Sequence, residues 1–546
     1  MDASAGTAPS APASPPGSTP LVLAFAVAAV GGAVAAVSFR AFDLDRFFVP
    51  KELALHVAAL MIVVPLTRRR APAPWTRADL ALAAWLAVSA ASAVLATSGW
   101  LAARALALSL SAAMIFWAGP SLYDAGRARG VAALLAVAAT LAAGSSLAQA
   151  YGVSVDLFSA NRAPGGLLGN RNFVAHVAAM GLPLLVWLTA TARSAGGGVV
   201  GALALLVNAA ALVLSRTRAA WLALAIWLPL VAFAVWRHGL PRDPGRPAVA
   251  PRGARAIVAG IAGGIVIAVA IPNTLDWRSD SPYLDSVRGV VNYREGSGAG
   301  RLRQYANSLK LTRAHPLLGV GPGNWASEYP AVASRNDPSI SDATGMASNP
   351  WPSSDWVAAM AERGVPAALA LAAFVLLLLR QAWRTWRAPE RASHERLAAL
   401  AGGSVVLIGA VEGMFDAVSL LALPSVMLFA AAGALIPRGT AVATRAAATR
   451  APATRAVLTA AAAVCWLAIV AMTAARLDAM RRYAQGTAAS VRMAAALDPG
   501  SYRIQMRAAD IAAARGDCKA ATRYATAARG LFPHAAAPQA ILARCR

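Results

Sequence analysis

The chain has 546 residues, 58% of them hydrophobic and 14% charged, with a formal net charge of +25. A soluble chain of this length carries about a quarter charged residues, so the composition excludes a large soluble enzyme and points to a polytopic membrane protein. The positive charge does not signal nucleic acid: the arginines lie in short loops between apolar runs, where membrane topology places them, and no DNA- or RNA-binding motif accompanies them.

In chain order, residues 1–19 are Ala, Ser, Pro, Thr and Gly with almost no charge, which predicts a disordered tail. A basic region before Leu21 is missing, so this tail is not read as a secretory signal. Thirteen apolar runs follow, each close to the roughly 20 residues a membrane span needs. They are 20–39, 52–67, 78–96, 101–119, 131–151, 172–191, 197–214, 219–236, 254–272, 358–380, 396–415, 419–436 and 456–474. The expected fold is an all-α membrane helix bundle of about thirteen spans, with a membrane domain over 20–474.

Arginine distribution sets the orientation. Alternate connections carry Arg68, Arg69, Arg70 and Arg77; Arg127 and Arg129; Arg193; Arg237 to Arg255; Arg380 to Arg396; and Arg438 to Arg455. By the positive-inside rule these are cytoplasmic, with the N-terminus. An odd number of spans then puts the 273–357 loop and the tail on the outer side. In a bacterial inner membrane that side is the periplasm.

The 475–546 tail changes composition and reads as short amphipathic helices. Pro499 and Pro533 stand 34 positions apart, as do Ala494 and Ala528. With Gly516, Asp517 and Ala521 this spacing resembles one or two tetratricopeptide units; a plain alanine-rich hairpin is the alternative. Such a tail could recruit a protein partner. Cys518 begins one helix and Cys545 ends the next, so antiparallel packing brings them together as a disulfide in an oxidising compartment. Cys465 sits in an apolar span and is expected to be a small core residue.

The polar loop that begins near Gly298 and ends at Trp356 is the natural place for chemistry, because long ordered loops are otherwise uncommon. Unusual polar groups gather at the same predicted outer side: Asn170, Arg171 and Asn172; Arg216 and Arg218; Arg301 and Arg303; Glu362 and Arg363; Glu412 and Asp416. Guanidinium groups grip phosphate oxygens and keep their charge, so an arginine cluster at a bilayer surface suits a lipid-linked diphosphate that leaves as a sugar bond breaks. For any one arginine, snorkelling to the interface is the competing reading. Gly319-Val320-Gly321-Pro322-Gly323 lacks the lysine and strand of a nucleotide loop and is read as turn glycines. Asp43-Leu44-Asp45 is a two-residue match to a metal-holding pair, too short to predict a metal.

Four segments carry a family resemblance: Gly166-Leu167-Leu168-Gly169-Asn170-Arg171-Asn172-Phe173, Arg218-Ala219-Ala220-Trp221, Gly300-Arg301, and His315-Pro316-Leu317-Leu318-Gly319-Val320-Gly321-Pro322-Gly323-Asn324-Trp325. They resemble the O-antigen ligase / O-antigen polymerase superfamily over roughly residues 20–436. Phe48-Val49-Pro50-Lys51 and Phe415-Asp416 are similar to its lesser signatures. The resemblance implies a metal-independent, cofactor-free glycosyltransferase of the GT-C type. Its donor would be an undecaprenyl-diphosphate-linked glycan and its acceptor a glycan or lipid hydroxyl. Arg218 and Arg301 match the family positions that hold the diphosphate, with Arg216 a neighbour able to share the role. Asn170, Arg171, Asn172, Arg303, Asn324 and Glu362 are expected to line the substrate site. Where family ligases carry a His-Asn pair, this chain has Ser353-Ser354 before Asp355. That departure leaves Asp355 and His315 as acid–base candidates, and leaves open a polymerase, a ligase of altered mechanism, or a glycan-binding member. A flippase and a protein O-oligosaccharyltransferase are the rival functions.

Overall fold

Alanine and leucine cost least in a helix, and a backbone in lipid must satisfy its own hydrogen bonds, so these apolar runs have one good solution. A computed structural model of the chain describes residues 18–39, 44–68, 74–160, 162–241, 251–277, 281–289, 296–334, 336–341, 346–442 and 452–545. Among them are 21 α-helices and no strand; two isolated bridges pair Thr76 with Ala441 and Ile340 with Ala347.

The first nine helices are α1 (Ser18–Val34), α2 (Asp45–Thr67), α3 (Arg77–Val94), α4 (Gly99–Asp124), α5 (Ala128–Ala150), α6 (Arg171–Ala190), α7 (Ala195–Ser215), α8 (Arg218–His238) and α9 (Pro251–Ala270). The loop contributes α10 (Pro282–Arg288), α11 (Gly296–Ala314), α12 (Trp325–Val332) and α13 (Asp355–Arg363). The bundle resumes with α14 (Val365–Arg387), α15 (Ser393–Glu412), α16 (Ala422–Leu435) and α17 (Pro452–Gln485). The tail holds α18 (Ala488–Leu497), α19 (Tyr502–Ala514), α20 (Cys518–Leu531) and α21 (Ala536–Arg544).

Each of the thirteen expected apolar runs is helical. Eleven helices among the described residues are long and apolar enough to cross a membrane: α2 to α9, α14, α15 and α17. The other two, α1 and α16, are apolar but have 17 and 14 residues. The run expected at 358–380 is displaced toward the C-terminus, because Gly364 at φ 86° separates α13 from α14. The predicted boundary at 474 falls inside α17, a continuous helix of 34 residues. Asp43 lies outside the described residues, and Asp45 is ion-paired with Arg104.

Small residues let the helices approach closely, as membrane bundles require. At the crossing of α4 and α16, a Cβ on Gly119 would stand 2.3 Å from the Gly433 carbonyl carbon. One large apolar core runs through α1 to α8 and α14 to α16.

Alternate connections meet at the same end of the bundle. At one end Arg438 Nη1 donates to the Pro74 carbonyl at 3.3 Å, the Tyr123 hydroxyl donates to Glu395 at 3.0 Å, and Trp386 Nε1 donates to the Ala234 carbonyl at 3.3 Å. At the other, here termed the loop end, Ser92 Oγ donates to the Glu362 carbonyl and Trp100 Nε1 to Asp498. The tail docks at the loop end too, where Ala479, Met480, Val491 and Ala494 bury Val49 of α2.

Cys518 and Cys545 are joined in a disulfide, with Cα atoms 5.2 Å apart. Cys465 departs from expectation: it is exposed on the outer side of α17, not in the core. The reason is the helix itself, which meets α2 on one face only and leaves Val464, Cys465 and Leu467 facing away. Peptide mapping of unreduced protein is therefore expected to find one 518–545 cross-link and a Cys465 thiol that reacts with an apolar maleimide. Cys518→Ser should cost the tail about 3 kcal/mol, read as a lower melting temperature of α18 to α21. Free thiols at both positions would contradict the pairing.

Candidate functional site

The glycine-rich motif folds as a lock. Gly319 adopts φ 64°, a left-handed conformation that favours glycine, and its Cα faces the Glu362 carbonyl so closely that a Cβ would stand 2.3 Å from it. Val320 N–H donates to the Ala361 carbonyl at 3.0 Å and Gly321 N–H to that of Glu362 at 2.8 Å. The Glu362 carboxylate accepts from Gly323 N–H at 2.9 Å and Trp325 N–H at 3.4 Å. Burial raises this carboxyl above its ordinary value, against the pull of Gly323 N–H and Arg363. Asn324 Oδ1 accepts from Ser98 N–H at 2.7 Å, while its Nδ2 donates to the Ser98 and Pro322 carbonyls. Asn324 and Glu362 thus spend their polar atoms on holding the loop to α4 and α13. His315 closes α11 and is exposed; Arg303 is also exposed, on the same helix.

Behind the lock lies a buried ionisable cluster. Asn170 caps α6 by accepting from Asn172 N–H at 3.0 Å. This turns Asn172 inward, where its Nδ2 donates to Asp416 at 2.8 Å and its Oδ1 accepts from the Thr217 hydroxyl at 3.2 Å. One turn along α6, His176 stands 3.2 Å from Glu412 and 3.4 Å from Asp416. Burial pushes the Asp416 carboxyl up, but the His176 imidazole 3.4 Å away, with the charge of Arg301 beyond, holds it below its ordinary value. Asp355, first residue of α13, accepts from Val418 N–H at 3.0 Å and Ser419 N–H at 2.8 Å. Burial nevertheless lifts its carboxyl to about 6.

The predicted arginines border this cluster. Arg216 is the C-cap of α7 at φ 54°, a conformation uncommon outside glycine, and its guanidinium lies 4.7 Å from the centre of the Trp277 ring while Nε donates to Ser286. Arg171 approaches the same ring at 5.7 Å. Burial, helped by the like charge of Arg218 and against the pull of Asp285, sets the Arg216 guanidinium below its ordinary value. Arg218 follows Thr217 and donates to the Gly289 carbonyl at 2.8 Å. The structure therefore brings Asn170, Arg171, Asn172, Arg216, Arg218, Arg301 and Asp355 to one neighbourhood. Arg303, His315, Asn324 and Glu362 stand apart from it or are spent on the lock.

Beside the cluster opens a cavity of about 650 Å³ at the loop end. Phe173, next to Asn172, and Ser419, held by Asp355, belong to its wall. Phe48, Phe173 and Trp351 form an aromatic side with ring centres 5.3–6.3 Å apart. Its charged lining is Lys51, Arg104, Arg162, Arg363, Arg476 and Arg503 against Asp45, Glu52, Glu362 and Asp498. Arg104 is clamped by Glu52 and Asp45, each at 2.9 Å. Lys51 donates to the Ala35 and Leu167 carbonyls, tying α1 and the Gly165–Gly169 turn to the cavity floor. Arg363 donates to Ser89 and Ser109 and lies over Trp85; burial lowers it to about 10.

Sequence reasoning missed Glu52, Arg104, His176 and Arg476 as site residues. The signal was present: an ionisable side chain inside an apolar span is costly and marks function.

The raised Asp355 carboxyl has a consequence for stability. It titrates near 3.8 when unfolded and near 6 when folded, so the fold takes up a proton there. Its stabilising share is complete below about pH 4 and is lost as pH rises through about 6. The gap in unfolding free energy between wild type and Asp355→Asn should change across that window by roughly 3 kcal/mol, measured by melting at a series of pH values. A gap independent of pH contradicts the assignment.

Residues 202–372 match the O-Antigen ligase family, a segment that runs from α7 to the start of α14 and includes Arg216, Arg218, Arg301, the glycine lock and Asp355. No curated protein matches the chain. The chain carries an O-Antigen ligase domain within a multi-pass, all-helical membrane protein.

Proposed function

We propose that the protein transfers an undecaprenyl-diphosphate-linked glycan to an acceptor hydroxyl at the periplasmic face of a bacterial inner membrane, in surface polysaccharide synthesis. Members of the matched family are generally glycan-transferring enzymes, which supports the reaction class. The observation that carries the reading is the grouping of Arg171 and Arg216 at the Trp277 ring, Arg218 next to Thr217, and Arg301 near Asp416, with Asn172 bridging Thr217 and Asp416 beside a cavity with an aromatic wall.

In this reading Arg218 and Arg301 hold the donor diphosphate, with Arg216 and Arg171 adding charge. The acceptor oxygen attacks the anomeric carbon as the carbon–oxygen bond to the diphosphate breaks. The pyrophosphoryl lipid leaves into fixed guanidinium donors, the arrangement that lowers such barriers most. Asp355, at about 6, is the acid–base candidate suited to take the acceptor proton near neutral pH. Its hydrogen bonds to Val418 and Ser419 also shape the chain that faces the cavity.

The flippase alternative calls for charged groups deep in several spans. Lys51, Glu52 and Arg104 lie within the first eight residues of α2 and α4, at the loop end. That placement favours surface chemistry over transport.

Arg218→Ala and Arg301→Ala are each expected to lower glycan transfer at least about a hundredfold, with normal protein level in the membrane. Wild-type polysaccharide in both variants would contradict the roles given to them.

A further inference from the structure

The cavity is closed on one side by chain far outside the 202–372 family segment. Arg476 from α17, with Asp498 and Tyr502 from the α18–α19 junction, belongs to its lining; Arg476 and Asp498 meet Trp100 at the start of α4, and Tyr502 packs on Phe532. Trp100 Nε1 donates to Asp498 at 2.8 Å, the Arg476 guanidinium lies 5.1 Å from the Trp100 ring centre, and a Cβ on Gly500 would collide with the indole. The tail is thereby fixed as part of the site.

Two polar groups in this wall have no protein partner: Arg476 Nη2 and the Tyr502 hydroxyl, on side chains whose residues are only 5% and 8% exposed. A buried donor left unmade is costly and uncommon. Charge narrows what completes them. Beside Trp100, Arg104 is clamped by Asp45 and Glu52, and Arg476 feels the opposite charge of Asp498, so the charges of this wall are largely met within it. A neutral polyol fits, because its hydroxyls both donate to carboxylate and accept from guanidinium and phenol. About 650 Å³ is room for a small ligand.

We propose that the C-terminal tail forms a binding subsite for a neutral, hydroxyl-rich sugar of the glycan, with Arg476, Tyr502 and Asp498 as its contacts. Arg476 Nη2 and the Tyr502 hydroxyl turn onto sugar hydroxyls when the ligand enters. The identity of the ligand rests on the glycan-transfer reading; the subsite itself rests on the wall.

The test uses the full chain in detergent with two probes: oligosaccharide released by mild acid from the lipid-linked donor of the producing cells, and sugar-free undecaprenyl diphosphate. Tyr502→Phe and Arg476→Gln should each bind the oligosaccharide about tenfold more weakly and undecaprenyl diphosphate as wild type does. Tyr502→Phe removes only an unpartnered oxygen, so it should melt at the wild-type temperature, which a merely structural hydroxyl would not do. If Arg476→Gln does not fold, Tyr502→Phe alone decides. Unchanged oligosaccharide affinity in the folded variants overturns the subsite and leaves the transfer reading standing. Wild-type protein that binds neither probe overturns both.

Discussion

Charge buried in an apolar bundle must be compensated where it lies, and that constraint shapes the loop end of this protein. Arg104 is held by Glu52 and Asp45, His176 by Glu412 and Asp416, Arg363 by Ser89, Ser109 and the Trp85 ring. Each set draws together helices that are distant in sequence: α2 with α4, α6 with α15, α13 with α3 and α4. The polar network therefore does two things. It fixes the ends of the spans against one another, and it leaves a lined cavity between them that apolar packing would have filled.

The loop is placed by the same logic on a smaller scale. Glu362 accepts two backbone N–H groups from the glycine motif and Asn324 pairs with the backbone of Ser98, so the motif has one seat on the bundle. Gly319 and Gly321, at φ 64° and 102°, allow the chain to reach that seat. Once seated, α13 carries Asp355 against the 418–419 turn and α11 carries Arg301 toward Asp416. The site thus joins elements of the matched family segment to α6 and the 412–419 chain outside it, while its cavity is finished by α2, α4 and the tail.

Much of this was legible from residue pattern. Apolar runs of span length gave every membrane helix, because hydropathy and internal hydrogen bonding leave the chain few alternatives. The disulfide followed from two helix ends placed by their turns. The clustering of Arg171, Arg216, Arg218 and Arg301 followed from loop alternation. What escaped notice depends on rotation about helix axes, which a span window averages away. Glu52, Arg104 and His176 fall inside the expected runs 52–67, 101–119 and 172–191, where a span window weighs length and mean polarity and not the face a residue presents. Cys465 faces outward because α17 touches its neighbours on one side only. The backbone bonds that Asn324 makes to Ser98, and Glu362 to Gly323 and Trp325, depend on how the loop seats on the bundle, which residue type alone does not specify.

The central claim is that the guanidinium groups at the loop end receive a departing pyrophosphoryl lipid. Its most direct test is release of undecaprenyl diphosphate by purified protein in lipid nanodiscs, supplied with the undecaprenyl-diphosphate-linked oligosaccharide and an acceptor glycan. The account predicts release that requires acceptor and matches the glycan transferred, mole for mole. Donor that is bound, or carried between leaflets, with its sugar–phosphate bond intact would contradict it.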